Sequence, residues 1–172
     1  MDDVLERWSA ILGDEVDPEY RDALELACCL LARGPRTEHQ VQQKLAAAGI
    51  DEDAGQRALA RLRSLCLVDD LDYARQWIEE RSRRIGRGAE ALIGELGGKG
   101  VDRDVAERAM AEMGFDEVAV ARVWAARLVP KVMDRPLPEQ GLRLRLMLLR
   151  RGFSEEAATE GARAALPPEG WD

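Results

Sequence analysis

The chain has 172 residues, 46% apolar and only 5% aromatic, a balance that suits helices packed through Leu, Ala and Val and the size of one domain or a short array. No apolar run reaches the roughly 20 residues that cross a bilayer, and the front is acidic where a secretory signal is basic, so the expected location is cytoplasmic, with no membrane contact. The net charge is −8, but residues 1–33 hold nine acids against three bases while residues 34–172 hold 24 against 22, so the total does not exclude an anionic partner for the later part.

In chain order, Val4, Leu5, Trp8, Ile11 and Leu12 predict a short acidic amphipathic helix within 1–17, packed on the body or docking a partner through Trp8. From Pro18, Tyr20, Leu24, Ala27, Cys28 and Leu31 recur at helical spacing until Gly34-Pro35 stops the pattern. Thr37 is placed to cap a second helix with Val41 and Leu45 inward, and Asp51 a third with Ala54, Ala58, Leu59, Leu62 and Leu65 inward. Asp69 and Asp70 open the next helix, where the positive end of the dipole favours acids, and Tyr73, Ala74, Trp77 and Ile78 follow. Gly86 and Gly88 then precede a helix bearing Leu92 and Leu96, and Asp102 precedes one with Val105, Ala109, Met110 and Met113. Ala121-Arg122-Val123-Trp124 repeats Ala74-Arg75-Gln76-Trp77; a breaker-rich connection from Pro130 to Pro138 leads to Leu144 and Leu148. The last helix has only Ala157, Gly161, Ala162 and Ala165 for a core, which predicts the least protected element, with a loose tail over 166–172.

The segments beginning at Leu45, Leu96 and Leu148 share the form Leu-x-x-x-Gly, an apolar residue, then Asp or Ser, and they start 51 and then 52 residues apart. A Gly in the left-handed conformation closes one helix, and the Asp or Ser opens the next. The reading is therefore all-α: three tandem three-helix repeats over 18–68, 69–115 and 116–165, forming an elongated array behind the N-terminal segment.

No residue pattern suggests catalysis. Cys28, Cys29 and Cys66 lack metal-ligand spacing and fall on predicted apolar faces, which reads as buried thiols; His39 has no companions for a metal site. Glycines 94, 97, 98 and 100 lack the preceding strand and the Lys-Ser/Thr of a phosphate loop. Neither metal nor cofactor is expected. What remains is arginine on outward faces: Arg57, Arg61 and Arg63 in the first repeat, Arg75, Arg81, Arg83, Arg84 and Arg87 in the second, and Arg143, Arg145, Arg150 and Arg151 in the third. Arginine grips carboxylate or phosphate in two-pronged fashion, and Asp69 and Asp70 offer the opposite charge to a basic patch. Trp77 and Trp124 hold matching places and read as core first and partner anchors second.

The stretch Leu67-Val68-Asp69-Asp70-Leu71-Asp72-Tyr73-Ala74, the following Arg81 to Gly86, and the repeated junctions together resemble the RecX regulatory family of bacteria, over residues of about 18 to 165. One departure is Leu67, where that family often has Gly. The resemblance implies a non-enzymatic modulator that binds the RecA recombinase in the groove of its filament on single-stranded DNA, altering ATP hydrolysis, strand exchange and the repair and SOS responses; the chain is expected to be a monomer. Two other classes fit the residues: weak, sequence-independent DNA binding, and a passive helical scaffold. The acids that begin the third helices disfavour base reading in the major groove.

Overall fold

The computed structural model describes residues 17–168, Pro138 by its backbone alone; the amphipathic segment with Trp8 and the last four residues of the tail lie outside it. The described residues form α1 (Pro18–Leu31), α2 (Glu38–Ala47), α3 (Glu52–Ser64), α4 (Asp70–Ile85), α5 (Ala89–Gly97), α6 (Arg103–Met113), α7 (Glu117–Leu128), a 3-10 turn (Val129–Lys131), α8 (Leu137–Leu149) and α9 (Glu155–Ala165). Among them there is no strand. The chain divides into two compact units, one ending at Asp70 and the other beginning at Leu71.

Each run of three helices closes over its own core. Leu24 and Ala27, Val41 and Leu45, and Ala58, Leu59 and Leu62 meet between α1, α2 and α3. Ala74 and Ile78, Leu92 and Leu96, and Ala106 and Ala109 do so between α4, α5 and α6. Ala121 and Ala125, Leu144 and Leu148, and Ala157, Ala158 and Ala162 do so between α7, α8 and α9. Inward positions three or four apart bring one stripe of each helix to its core, and each fully buried Leu contributes about 1.5–3 kcal/mol. Met113, expected inward, is exposed at the end of α6, and Ala106 takes the central place.

The three repeat junctions close in the same way. The amides of Ile50, Val101 and Phe153 donate to the carbonyls of Leu45, Leu96 and Leu148, and Gly49, Gly100 and Gly152 sit between at φ 79°, 81° and 81°. Such a closure satisfies orphan carbonyls and returns an apolar side chain to the core. Asp51 then accepts from the amides of Asp53 and Ala54, and Ser154 from that of Ala157. Asp102 holds the cap position without a side-chain bond, whereas Thr37 and Gln40 form a reciprocal capping box. The turn after α3 has no glycine: Cys66 takes φ 53° and the Leu67 amide closes on Leu62, so Leu67 leaves that turn intact.

Three readings are corrected. Cys28 is half-buried against the first core, but Cys29 and Cys66 are exposed, because one faces away from that core on α1 and the other lies in a turn. The breaker-rich connection is partly helical, and Pro138 lies in the first turn of α8, where its missing N–H breaks no helix bond. Leu166, read as the start of a loose tail, is buried in the third core. The small residues of α9 are closely packed: Ala157, Ala158 and Ala162 are fully buried, and Gly161 lies so near α7 that a Cβ there would meet Ala121 backbone atoms at 2.9–3.0 Å. Absence of side chain permits close approach, and dispersion contacts replace the missing area.

The second and third modules are joined end to end within one unit. Three consecutive amides at the start of α5 find their acceptors on the third module: Gly88 N–H on the Arg151 carbonyl (3.0 Å), Ala89 N–H on Glu117 Oε1 (2.8 Å) and Glu90 N–H on the Gly152 carbonyl (3.2 Å). Glu117 also accepts from Ser154, through Oγ at 2.7 Å and N–H at 3.3 Å. At the end of α4, Trp124 Nε1 donates to the Ser82 carbonyl (2.9 Å) and Arg151 Nη1 to the Ile85 carbonyl (2.5 Å). The Trp124 ring occupies the space beside Gly86, where a Cβ would lie 2.1 Å from the indole.

Gly161→Ala separates close approach from ordinary helix propensity. An exposed helical Gly replaced by Ala gains up to about 1 kcal/mol, while overpacking costs about 1–3 kcal/mol. Urea unfolding followed by circular dichroism is expected to show a loss of stability for Gly161→Ala; a gain would mean that α9 is loosely held.

Candidate partner-binding surface

The arginines read as outward fall into two kinds. In the first unit, Arg57 is held by Asp17 at 2.6 Å and Asp53 at 2.9 Å and lies 5.2 Å from the Tyr20 ring centroid, and Arg63 pairs with Glu38 at 2.7 Å. The bond from Arg57 holds the Asp17 carboxyl below its usual range. Arg61, half-buried, has no ion pair among the described residues. Asp70 Oδ1 accepts the Glu38 amide at 2.8 Å, so this acid completes the start of α2, while Asp69 beside it is exposed. Burial pushes the Asp70 carboxyl above its usual range, and Glu38 and Asp69 add to the rise.

In the second unit, α4 and α5 gather a cationic cluster around Trp77. Glu95 accepts from Trp77 Nε1 (3.1 Å), Arg81 Nε (3.0 Å) and Arg87 Nε (2.7 Å). Arg81 and Lys99 lie 4.4 and 4.2 Å from the indole centroid, and Tyr73 stacks at 6.2 Å. One carboxylate therefore holds two guanidiniums, each through its Nε, which leaves their Nη groups out of this contact. Cations against an indole face gain about 0.5–2 kcal/mol and lose less rotamer freedom on binding. Of the neighbours, Arg83 is exposed with no ion pair among the described residues, Arg84 makes an exposed pair with Glu80 at 3.2 Å, and Arg75 is engaged by Glu112, which also holds Arg108. The two bonded arginines hold the Glu112 carboxyl below its usual range.

In the third module, Arg145 pairs with Glu155, and Arg151 is committed to the joint, its guanidinium 5.2 Å from the Trp124 centroid. Arg143 and Arg150 are exposed and have no ion pair among the described residues. Both tryptophans are half-buried organisers at module edges rather than central core. The structure thus brings Arg81 and Arg87 together, leaves Arg83, Arg84, Arg143 and Arg150 facing solvent, and ties Arg57, Arg75, Arg145 and Arg151 to internal partners. Sequence reading missed Glu95, Lys99 and Glu117: Glu95 lies 18 residues from Trp77 and Lys99 lies in the turn after α5, so only the folded chain brings them to the indole. Among the described residues no group of His, Cys, Asp or Glu is placed to hold a metal, His39 is exposed, and no helix is long and apolar enough to cross a membrane.

The Asp70 shift has a sign that stability measurements can read. As pH rises from the ordinary aspartate range, the unfolded chain ionises this residue before the folded one does, so Asp70 subtracts stability at higher pH and none below that range. Asp70→Asn keeps an oxygen for the Glu38 amide and is expected to flatten this part of the pH dependence in urea titrations. Parallel curves for the two proteins would show that Asp70 carries no such burden.

Comparison with known proteins identifies the family of these three-helix modules. Residues 23–62 match the RecX first three-helix domain and residues 69–110 the second. Regulatory protein RecX of Mycobacterium ulcerans is 38% identical over 159 residues, covering 89% of this chain and 90% of the relative. Its namesake in Mycobacterium tuberculosis is 36% identical over 152 residues, covering 86% and 87%. In fold, the crystal structure of RecX from Lactobacillus salivarius superposes with a TM-score of 0.79 at 21% identity over 86% of this chain and 96% of that one; a second crystal structure, of regulatory protein RecX, gives 0.70 at 21% identity over 91% and 84%. With two RecX domains matched and relatives 36–38% identical over nearly nine-tenths of its length, the chain belongs to the RecX family of regulatory, non-enzymatic proteins.

Proposed function

We propose that this chain binds the RecA recombinase filament on single-stranded DNA, as a monomer in the cytoplasm, and modulates its ATP hydrolysis and strand exchange. The observation that carries this reading is the 36–38% identity with proteins named regulatory protein RecX across nearly the whole chain. The geometry supports it. In the second unit the Trp77 cluster holds cations in fixed orientation, and Arg83 and Arg84 extend the charge into solvent. The joint between second and third modules keeps their contact residues at a constant separation, which suits a partner that repeats at a constant interval. Several weak contacts on one stiff body raise effective concentration, and avidity exceeds that of a single contact by roughly 10² to 10⁴. A body bridging adjacent recombinase subunits opposes the relative movement that nucleotide turnover requires.

The test is ATP hydrolysis by the cognate RecA on single-stranded DNA, with and without the full chain. A rate that changes with added chain, and an Arg83→Ala, Arg84→Ala variant that needs about tenfold more protein for the same effect while its circular dichroism is unchanged, are the expected results. An unchanged rate at saturating chain would contradict the proposal.

A further inference from the structure

We infer that the outward face of α8 is a protein-docking ridge whose occupant is an apolar groove rimmed by carboxylates on a recombinase subunit; this rests on the functional reading above. Leu142 and Leu146, one turn apart, are 55% and 39% exposed. The helix does not need them for its core, which Leu144 and Leu148 fill from the opposite face.

The repeats supply an internal control. With Leu45, Leu96 and Leu148 in register, the positions of Leu142 and Leu146 are occupied by His39 and Gln43 in α2 and by Glu90 and Gly94 in α5, all exposed. The same fold is thus built twice without apolar residues at these places, so packing within the module is not the reason for them. The flank of the ridge differs in step. Arg143 and Arg150, seven residues apart and hence on one side of the helix, replace Gln40 and Ala47 in the first module and Ala91 and Gly98 in the second.

Charge selects the occupant. The chain has more acids than bases, and Arg145 on the other flank is engaged by Glu155, yet Arg143 and Arg150 have no carboxylate among the described residues. Exposed leucines beside unpaired guanidiniums fit a groove with an apolar floor and an acidic rim, the usual arrangement for a helix laid in a groove. A second copy of this chain fits less well, because two ridges paired antiparallel about a two-fold axis bring the Arg143 and Arg150 flank against itself.

The experiment compares the full-length protein with Leu142→Glu, Leu146→Glu and with Arg143→Glu, Arg150→Glu, by binding to cognate RecA filaments on single-stranded DNA, binding to the same DNA alone, sedimentation and circular dichroism. Should the glutamates disturb the dichroism, Leu142→Gln, Leu146→Gln serves the same comparison. The expected result is at least about tenfold weaker filament binding for both pairs, with DNA binding by the leucine pair unchanged. Wild-type protein that binds filaments no better than its ridge variants overturns the ridge alone. Wild-type protein that does not bind filaments overturns the functional reading and the ridge with it. A wild-type dimer that the leucine pair converts to monomer, with filament binding retained, overturns the ridge in favour of self-pairing; loss confined to bare DNA does so in favour of a nucleic-acid surface.

Discussion

A short helix ends in backbone groups that it cannot satisfy, and a module of three short helices has many such ends for little core. The second and third modules resolve this by completing one another. The first amides of α5 are capped by Glu117 and by two carbonyls of the Arg151 and Gly152 turn, while the last carbonyls of α4 receive Trp124 and Arg151. Leaving a buried amide or carbonyl without a partner costs about 1–3 kcal/mol, so separating the modules exposes several costs together. Gly86 is central because it makes room for the indole and at φ 70° turns the chain between the helices. Gly88 and Gly152 have a similar burden, since a Cβ on either would meet the other module's backbone within 2.5 Å.

The tryptophan recurs in the second and third modules, in different surroundings. Trp77 is covered by Lys99 and Trp124 by Arg151, and these cations occupy equivalent positions in the repeat. The difference lies one turn earlier, where Glu95 of the second module corresponds to Met147 of the third. With its carboxylate, the second copy gathers Arg81 and Arg87 into a charged cluster; without one, the third copy turns its indole N–H to a neighbouring helix and becomes a joint. The two tryptophans thus sit in different surroundings, one beside a carboxylate that gathers charge and one against a neighbouring module.

The parts legible in the sequence were those set locally. Leu45, Gly49 and Asp51 and their counterparts specify helix end, turn and helix start within seven residues, and the apolar stripes through Leu24, Ala27, Val41 and Leu45 specify the inward faces. The parts that were not legible depend on residues distant in the chain. Small side chains in α9 read as a weak core until Gly161 is seen against Ala121. Arg151 and Arg81 read as outward guanidiniums, but one reaches the Ile85 carbonyl and the other Glu95. Glu117 looks like a first-turn acid of its own helix, and only the folded chain brings it to the starts of α5 and α9.

If helix ends shared between modules are what makes the second unit one body, its modules must open together. Native-state amide exchange on the full chain measures this directly. The slowest amides of α5 and those of α7 are predicted to report the same opening free energy and to fall by the same amount in Gly86→Ala, whose added methyl collides with the Trp124 ring. Amides of α7 to α9 that open well below those of α5 in the wild-type chain, or a Gly86→Ala variant that weakens one set and spares the other, would contradict the account.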